Sequence, residues 1–274
     1  MGHAELRSIY IHPVKAFRAV GRREALVEPW GLAGDRRWML IDDGGKVVTQ
    51  RQQPHIALAV AELAPGGGLV LSAPGRDPLA VPVPEPGVTV TAEVFGAKVE
   101  TAPAGPAADA WCSAFAGIDV RLVHMDDPAA CRPVDPDYGR PGETVSFADG
   151  YPLLLTSLSS LDSLNSLIAE GDRAEEGPLP MSRFRPNVVV AGAPAWAEDE
   201  WERLAIGDVV FRIAKPCARC VVTTVDQATA RRGKEPLRTL GRHRRFGGRL
   251  LFGQNLVPES TGVIRVGDPV AILG

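Results

Sequence analysis

The sequence contains few cysteines, four among 274 residues. A small secreted domain held together by disulfides is much richer in cysteine, so a disulfide framework is excluded. Two of the four, Cys217 and Cys220, stand three residues apart in KPCARCVVTTVDQ. This cysteine usage indicates a reducing, cytoplasmic compartment, in which such a pair serves metal binding or redox chemistry.

The sequence also lacks a long apolar run and an excess of either charge. No stretch approaches the roughly 20 apolar residues that span a bilayer. The first residues, MGHAELRSIYIHPVK, lack the charged-then-apolar order of a secretory signal, so we expect no membrane contact. The net charge of −3 gives no general reason to expect a nucleic-acid partner, although basic residues cluster in RRFGGR and SRFRPN.

The first hundred residues contain short apolar runs separated by turn residues. LRSIYIHPV alternates apolar and polar positions, and RRWMLIDDGGKVVTQR indicates a hairpin around Asp43, Gly44 and Gly45. AELAPGGGLVLSAPGRDPLAVPVP and VTVTAEVFGAKVETAP continue the pattern, with Pro and Gly at the turns. This pattern predicts antiparallel sheets in a sandwich or barrel.

The second half mixes strands with short helices. AADAWCSAFAG (107–117) is predicted as a helix, IDVRLVHM as a strand, and the segment 126–150 as a long loop that is functional or covers other structure. YPLLLTS is predicted as a buried strand, followed by a helix with apolar residues at helical spacing. Ser157 or Ser159 would cap this helix and Gly171 would end it.

Further apolar segments predict the remaining strands. These are FRPNVVVAG, VVFRIAKP, CVVTTVD and a closing strand pair in VIRVGDPVAIL, while WAEDEWERLAIGD reads as a turn or short helix followed by a turn. The length allows two domains or one large barrel-like unit. Together the patterns predict a mainly β (α+β) fold with few helices.

The pair Cys217 and Cys220 fits several kinds of site. A structural zinc site requires four ligands, usually in two pairs, and the other two cysteines each stand alone. A thioredoxin-like dithiol begins a helix, whereas the VVTTV that follows favours a strand. In a strand these two side chains would point to opposite faces, which favours one functional thiolate, aided by Lys215 and Arg219. Small buried apolar residues are the alternative.

Two further groups of residues could bind an anion. Thr156 and Ser157 lie where a predicted strand meets a helix N-terminus, which favours negative charge, and simple helix capping is the alternative. Cations stand beside predicted turns at Lys15, Arg36, Arg183 and Arg185, with Asn187 close behind. A phosphate-bearing cofactor needs several such cations to converge, and solvated surface cations are the alternative.

Eight blocks of the sequence resemble one family in the same order. They are PVK, GLAGDRRWML, FADGYPLLLTSLSSLDSLN, FRPN, CARCVVTTVD, KEPLRTL, LFGQN and VGDPV. The family is that of molybdenum-cofactor-binding MOSC proteins with a MOSC N-terminal β-barrel domain, and the similarity is close to mitochondrial amidoxime-reducing components and their bacterial relatives. The resemblance implies an N-terminal β-barrel domain over 1–120 and a MOSC β-barrel domain with peripheral helices over 121–274.

The resemblance also implies where a molybdenum cofactor binds. The family's second C-x-x-C cysteine binds the metal and is catalytic, and this position is Cys220, whose thiolate suits a high-valent metal. Pterin and phosphate contacts are implied at Lys15, Arg36, Thr156, Ser157, Arg183, Arg185, Asn187 and Asn255. The sequence departs from the family at Ala16, where serine is common, so one hydroxyl contact would be missing and a backbone N–H could serve instead.

The activity implied is the reduction of N-hydroxylated, small-molecule substrates by a molybdenum-dependent oxidoreductase. No C-x₄-C-x₂-C iron–sulfur pattern follows Cys220, so electrons would come from a separate ferredoxin, flavoprotein or protein of the cytochrome b5 type. Mitochondrial members have a membrane-anchoring N-terminus, which we do not expect here. Asp35 and Asp226 lie near the matching blocks as possible acids, or as turn and ion-pair residues.

Two alternatives remain open. MOSC domains also occur in molybdenum cofactor sulfurases, beside a domain that binds pyridoxal phosphate. There Cys220 would carry sulfur or hold cofactor for delivery, without reductase activity. A specialised oxidoreductase of one biosynthetic pathway would keep the chemistry and act on another nitrogen-containing metabolite.

Overall fold

The computed structural model describes residues 4–274, and the fold is mainly β, as the sequence predicts. Within this range the strands are β1 Glu5–Ile11, β2 Val20–Arg22, β3 Glu24–Glu28, β4 Gly31–Leu32, β5 Trp38–Ile41, β6 Val60–Leu63, β7 Leu69–Ala73, β8 Arg76–Val81, β9 Val90–Val94, β10 Ala97–Pro103, β11 Arg121–His124, β12 Leu153–Ser157, β13 Val188–Ala191, β14 Arg203–Ile206, β15 Val209–Ala218, β16 Arg245–Phe246, β17 Arg249–Pro258, β18 Gly262–Arg265 and β19 Val270–Ile272. The α-helices are α1 Pro106–Ala116, α2 Leu158–Ala169 and α3 Leu237–His243. Short 3₁₀ turns occupy Pro54–Leu58, Pro65–Gly67, Ala174–Glu176, Met181–Phe184, Ala197–Glu200 and Val221–Thr224.

The largest sheet has the strand order β19-β14-β15-β17-β12-β13-β1-β2, with β16 added at β17. β12 lies parallel to β13, and α2 connects the two strands. All five residues of β12 are buried, which explains its unbroken apolar sequence, because a central strand covered on both faces needs no polar alternation. One end of this sheet carries the site described below.

Two main cores hold the molecule together. The first packs on the large sheet around Leu6, Leu155 and Phe211. The second lies among the smaller sheets of the first half and includes Trp38 together with Cys112 from α1. Because Cys112 is buried, its thiol behaves as a small apolar side chain, and burial raises its pKa to about 12.

The two longer predicted helices are confirmed. α1 covers the predicted helix of the first half, and α2 packs the apolar stripe of Leu161, Leu164 and Ile168 into its own small core. Ser157 occupies the N-cap position of α2, but its side chain makes no capping hydrogen bond. The helix ends at Ala169 with Glu170 as C-cap, one residue before the predicted Gly171.

Three predicted segments differ from the structure. The segment CVVTTVD is not a strand, because β15 ends at Ala218 and the residues after Cys220 form a 3₁₀ turn. The closing segment VIRVGDPVAIL does contain two strands, but β18 pairs with β3 and β19 with β14, so they are not partners. The segment WAEDEWERLAIGD contains β14 after its 3₁₀ turn, since Leu204 and Ile206 are buried against the large sheet.

Strands from the first 32 residues pair with strands from the second half of the chain. β1 pairs with β13 inside the large sheet, and β3 pairs with β18. The predicted division at residues 120 and 121 stays a prediction. Over residues 4–274, no helix combines the length and the apolar character needed to cross a membrane.

Candidate functional site

A cleft opens at the end of the large sheet where β1 ends and β12 and β13 begin. Its empty space, measured out into the open mouth, is about 830 Å³. Six of the nine residues predicted as metal or cofactor ligands lie on its wall: Lys15, Arg36, Arg185, Asn187, Cys220 and Asn255. They come from distant parts of the chain, so the sheet topology brings them together.

The backbone of the cleft wall adopts conformations that are rare for residues other than glycine. Ala16, Arg36 and Arg185 have φ angles of 70°, 49° and 57°. The left-handed region costs free energy for a residue with a Cβ atom, and such residues concentrate at functional sites. The fold therefore holds two cleft arginines in place at some cost in stability.

Arg36 is fixed by three polar neighbours. Its Nη1 donates to the carboxylate of Asp35 and to Oδ1 of Asn187 at 3.1 Å, and its Nη2 donates to the carbonyl oxygen of Arg185 at 3.3 Å. Asn187 in turn donates to the carbonyl oxygen of Tyr10. Asn187 thus positions Arg36, and Asp35 is an ion-pair residue that also accepts from the backbone N–H of His12 at 2.7 Å.

Arg185 carries a charge that the protein itself does not balance. Its Nη1 donates to Oε1 of Gln227 at 3.0 Å, and no carboxylate within residues 4–274 lies within 4.0 Å of it. Burial and repulsion from Arg36 lower the pKa of the Arg185 guanidinium. Burial, together with repulsion from Arg36 and Arg185, lowers the pKa of His12. This residue lies behind the wall as a neutral imidazole. An anion in the cleft would relieve this repulsion.

Lys15 and Asp149 form an ion pair at the mouth of the cleft. The Lys15 Nζ donates to Asp149 and to the carbonyl oxygen of Phe147 at 2.7 Å. Burial lowers the pKa of Lys15, although Asp149 opposes this. The protein atoms around Asp149 oppose its ionisation, but Lys15 and the nearby Arg51 and Arg36 outweigh them and lower its pKa. Asp149 is therefore a carboxylate at neutral pH.

The segment around Asp149 belongs to the long loop predicted to be functional or covering. The buried Arg132 donates to the carbonyl oxygens of Ser146, Ala148 and Asp149 at 2.8–3.0 Å. These bonds satisfy backbone groups that would otherwise be orphaned in a segment without regular structure. The end of the loop thereby becomes a fixed part of the cleft wall.

Cys217 and Cys220 both line the cleft, which corrects the prediction that they face opposite ways. Alternation fails because the pairing of β15 with β17 is irregular between Pro216 and Ala218, and because the chain turns after Cys220. The Sγ atom of Cys217 lies 2.9 Å from Nη1 of Arg219, and both residues are half-buried.

The cation beside Cys220 is Arg51, whose Nη2 lies 3.4 Å from the Cys220 Sγ atom. Lys215, which the sequence suggested for this role, instead pairs with Asp135 at 3.0 Å. The sequence offers no signal for Arg51, because it stands in an ordinary polar stretch 169 residues from Cys220.

Three predicted residues lie outside the cleft wall. Thr156 and Ser157 are fully buried, and their hydroxyls contact Met181 and Ser159. Arg183 donates to the carbonyl oxygen of Thr224 at 2.9 Å and pairs with Asp226 at 3.1 Å. Asp226 also accepts three hydrogen bonds within its own turn, so it is both a turn and an ion-pair residue. The cofactor contacts implied for these three residues stay predictions.

The charges of the cleft are strongly unequal. Five cations line it, Lys15, Arg36, Arg51, Arg185 and Arg219, against one carboxylate, Asp149, among the residues that the structure describes. Within residues 4–274, Arg36 and Lys15 have acidic partners and the other three cations do not. Together with two thiols, this wall is suited to an anionic ligand that also offers a metal to sulfur. The fold and the cleft thus define a mainly β protein with a cationic, thiol-bearing binding site.

Comparison with known proteins matches both halves of the chain. The sequence profile of the MOSC N-terminal beta barrel domain matches residues 3–119, and that of the MOSC domain matches residues 142–271. Human mitochondrial amidoxime-reducing component 1 is 35% identical, with 97% of this chain and 82% of that protein covered. The mouse protein of the same name is 33% identical, over 97% and 81%. Human mitochondrial amidoxime reducing component 2 is 32% identical, over 96% and 81%.

The chain therefore belongs to the family of MOSC proteins with a MOSC N-terminal β-barrel domain that includes the amidoxime-reducing components. The identity extends over nearly the whole chain and most of each relative, so it covers both the cysteine segment and the cationic wall.

Proposed function

We propose that this chain binds a molybdenum cofactor in the cleft and reduces N-hydroxylated compounds with electrons from a separate protein. The observation that carries the proposal is the convergence of three cations without acidic partners and a half-buried thiol on one cleft wall. The names of the relatives, which are amidoxime-reducing components, supply the substrate class.

The residues present fit such a cofactor. Its phosphate requires cations and N–H donors, and its metal requires a thiolate. The guanidinium of Arg185 faces the cleft with only one hydrogen-bond partner, the amide of Gln227, within the described chain. The buried Nε of Arg219 has no partner in residues 4–274. Cations left this poorly balanced are stabilised by a bound anion, so the donor set agrees with a phosphate-bearing ligand.

Each group on the wall has a distinct role. Cys220 supplies the sulfur ligand for the metal, and the Arg51 guanidinium lies 3.4 Å from that sulfur. Arg36 and Arg185 bind the phosphate, and Asn187 orients Arg36 through its amide oxygen. When bound, the cofactor supplies the two-electron redox centre for cleavage of the N–O bond. The protein supplies anchoring, orientation and an electrostatic field.

The carboxylate of Asp149 interacts with the product of the reaction. Conversion of an amidoxime to an amidine and water consumes two electrons and two protons. The amidine product is cationic at neutral pH, and the Asp149 side chain is 68% exposed to the open cleft. A carboxylate at the mouth favours a cationic group over a neutral one, so Asp149 favours the amidine product over the neutral amidoxime.

The test begins with protein purified from a host that makes the molybdenum cofactor. We expect about one molybdenum per chain, and reduction of benzamidoxime to benzamidine with dithionite-reduced methyl viologen as electron donor. Stoichiometric molybdenum without turnover of any N–O substrate would favour the sulfur- or cofactor-carrying alternative. Protein that folds and contains no molybdenum would refute both.

A further inference from the structure

The segment 228–250 is strongly basic although the whole chain is slightly acidic. It contains eight Lys or Arg residues and one carboxylate, Glu235, whereas the net charge of the chain is −3. The proposed function uses none of these eight. A local excess of this size, against the sign of the whole molecule, creates a local positive potential.

Half of these cations are already engaged within the protein. Three pair with Asp172 or Asp199 and a fourth donates to backbone carbonyl oxygens: Arg238, Arg242, Arg244 and Arg232. The other four have exposed side chains and no carboxylate within 4.0 Å among residues 4–274: Arg231, Lys234, Arg245 and Arg249. We call these four residues the basic patch.

The basic patch consists of two pairs at the ends of α3. Arg231 and Lys234 precede the helix, and Arg245 and Arg249 follow it on the hairpin of β16 and β17. The helix α3, whose seven residues span about 10 Å, separates the two pairs along the chain.

A chain neighbour of each pair bonds to a residue that contacts a cleft thiol or to the residue beside it. On the hairpin side, the N–H of Arg219 donates to the carbonyl oxygen of Leu250 at 2.7 Å, and the Arg219 guanidinium contacts Cys217. On the loop side, Arg232 donates to the carbonyl oxygen of Gln50 at 3.1 Å and to that of Arg51, which contacts Cys220. The basic patch therefore borders the cysteine side of the cleft.

The hairpin presents an aromatic ring between its cations. Gly247 and Gly248, with φ angles of 54° and 77°, form the two-residue turn that positive φ values permit at a tight hairpin. Phe246 at the tip is 52% exposed and lies opposite Arg249 in the strand register. Exposed aromatic residues among arginines are enriched where proteins bind one another.

We propose that the basic patch and Phe246 are the docking surface for the acidic face of an electron-donor protein. This inference rests on the proposed function, which requires electrons from outside the chain. Cations that have no acidic partner within residues 4–274 attract an acidic protein. Here they would bring it to the side of the molecule that lies nearest to the cleft. Interfaces between electron-transfer proteins are small and transient. A short helix and one hairpin supply enough surface for such an interface.

The test is a charge reversal, Arg245→Glu with Arg249→Glu. Its matched control is Arg7→Glu with Arg23→Glu, two exposed arginines of β1 and the β2–β3 corner. Benzamidoxime reduction is measured with a plant-type ferredoxin, a flavodoxin and soluble cytochrome b5 as donors, and with reduced methyl viologen. We expect the hairpin variant to lose about tenfold or more in kcat/KM with at least one protein donor at low salt. Its methyl viologen rate and the control variant should stay within about twofold of wild type.

Three outcomes would overturn the inference. The first is that the rates with protein donors are the same in the hairpin variant and in wild type. The second is that the control variant loses as much rate as the hairpin variant. The third is that a short single-stranded RNA binds the basic patch more tightly than any donor at the same salt concentration. If wild type fails with methyl viologen, the proposed function fails instead. Calorimetric titration with each oxidised donor then still tests the docking surface, because its affinity should fall about tenfold in the hairpin variant alone.

Discussion

The cleft wall and the N-terminus of α2 both carry residues that the sequence marked as cofactor ligands, yet they differ in how their polar groups are satisfied. At the cleft, Arg185 has no acidic partner in the described chain and a strained backbone. Behind the cleft, the Nη1 and Nη2 atoms of Arg183 donate to the carbonyl oxygen of Thr224 and to the carboxylate of Asp226. The hydroxyl of Ser157 lies within hydrogen-bond distance of the hydroxyl of Ser159. Two arginines separated by a single residue in the sequence thus have different roles.

The difference shows what distinguishes a ligand-binding cation from a structural one. A paired, buried cation stabilises the fold, and removing it leaves its partners unsatisfied. An unpaired cation beside another cation destabilises the empty site, and it is stabilised only when an anion binds. Loss of Arg183 should therefore reduce stability, and loss of Arg185 should reduce ligand retention.

The largest effect is expected from Cys220→Ala. Without the Cys220 sulfur, bound molybdenum should fall to background, because the substitution removes the proposed ligand of the metal. Cys217→Ala removes a thiol from the same wall and should keep most of the metal. Inductively coupled plasma mass spectrometry on folded protein measures both, and equal losses in the two variants would contradict the assignment of the metal to Cys220.

Next in size is the effect of Arg185→Met on cofactor retention. A charge-assisted hydrogen bond contributes about 1.5–3 kcal/mol, so the cofactor should dissociate at least about tenfold faster. The melting temperature of the cofactor-free protein should stay constant or rise, since an unbalanced charge is removed. Dissociation is followed by dialysis and fluorescence of the released, oxidised pterin. A large loss of stability without faster dissociation would place Arg185 among the structural cations.

Arg183→Met is the counterpart on the other side of the comparison. It removes the donor to the carbonyl oxygen of Thr224 and to Oδ2 of Asp226, which should lower the free energy of unfolding by about 2–3 kcal/mol. Urea denaturation of the cofactor-free protein measures this. Molybdenum per folded chain should remain near that of wild type, and a selective loss of metal would show that Arg183 binds the cofactor as the resemblance implies.

The smallest effect is the pH dependence of the pair of Lys15 and Asp149. The pKa of Asp149 is lower in the folded than in the unfolded chain. Between these two values the unfolded chain binds more protons, so stability rises with pH there. The contribution is complete above about pH 4, the ordinary carboxyl pKa, and is lost as the pH falls through the folded-state value. The urea midpoints of wild type and Asp149→Asn should therefore differ at pH 7 and begin to converge only below about pH 4, as the pH falls toward the folded-state pKa of Asp149. A difference between the two midpoints that stays constant with pH would show that the pair of Lys15 and Asp149 does not cause the pH dependence of stability.

The sequence predicted much of the architecture because local patterns agree with it. Alternating apolar residues and glycine turns identified the antiparallel strands of the first hundred residues, and helical spacing identified α2. CVVTTVD was misread because β-branched residues favour a strand locally, whereas the irregular pairing of β15 and β17 turns the chain after Cys220. The partners of β18 and β19 depend on contacts far apart in sequence, which periodicity cannot show.

The candidate site was only partly predictable for a similar reason. Motif order placed Lys15, Arg36, Arg185 and Cys220 in one site, and the structure brings them to one wall. Arg51 and Asp149 escaped because the cleft is assembled by the tertiary fold from loops without a recognisable pattern. Arg183 was grouped with Arg185 because a sequence gives no account of which cations find acidic partners. The cytoplasmic location stays a prediction.

The most direct test is the position of molybdenum itself. Crystals of protein produced in a host that makes the cofactor can be measured on both sides of the molybdenum absorption edge. We expect one anomalous peak at bonding distance from the Sγ atom of Cys220, with phosphate density against Arg185 and Arg36. A peak on Cys217, or a cofactor bound at the N-terminus of α2 around Ser157, would contradict it.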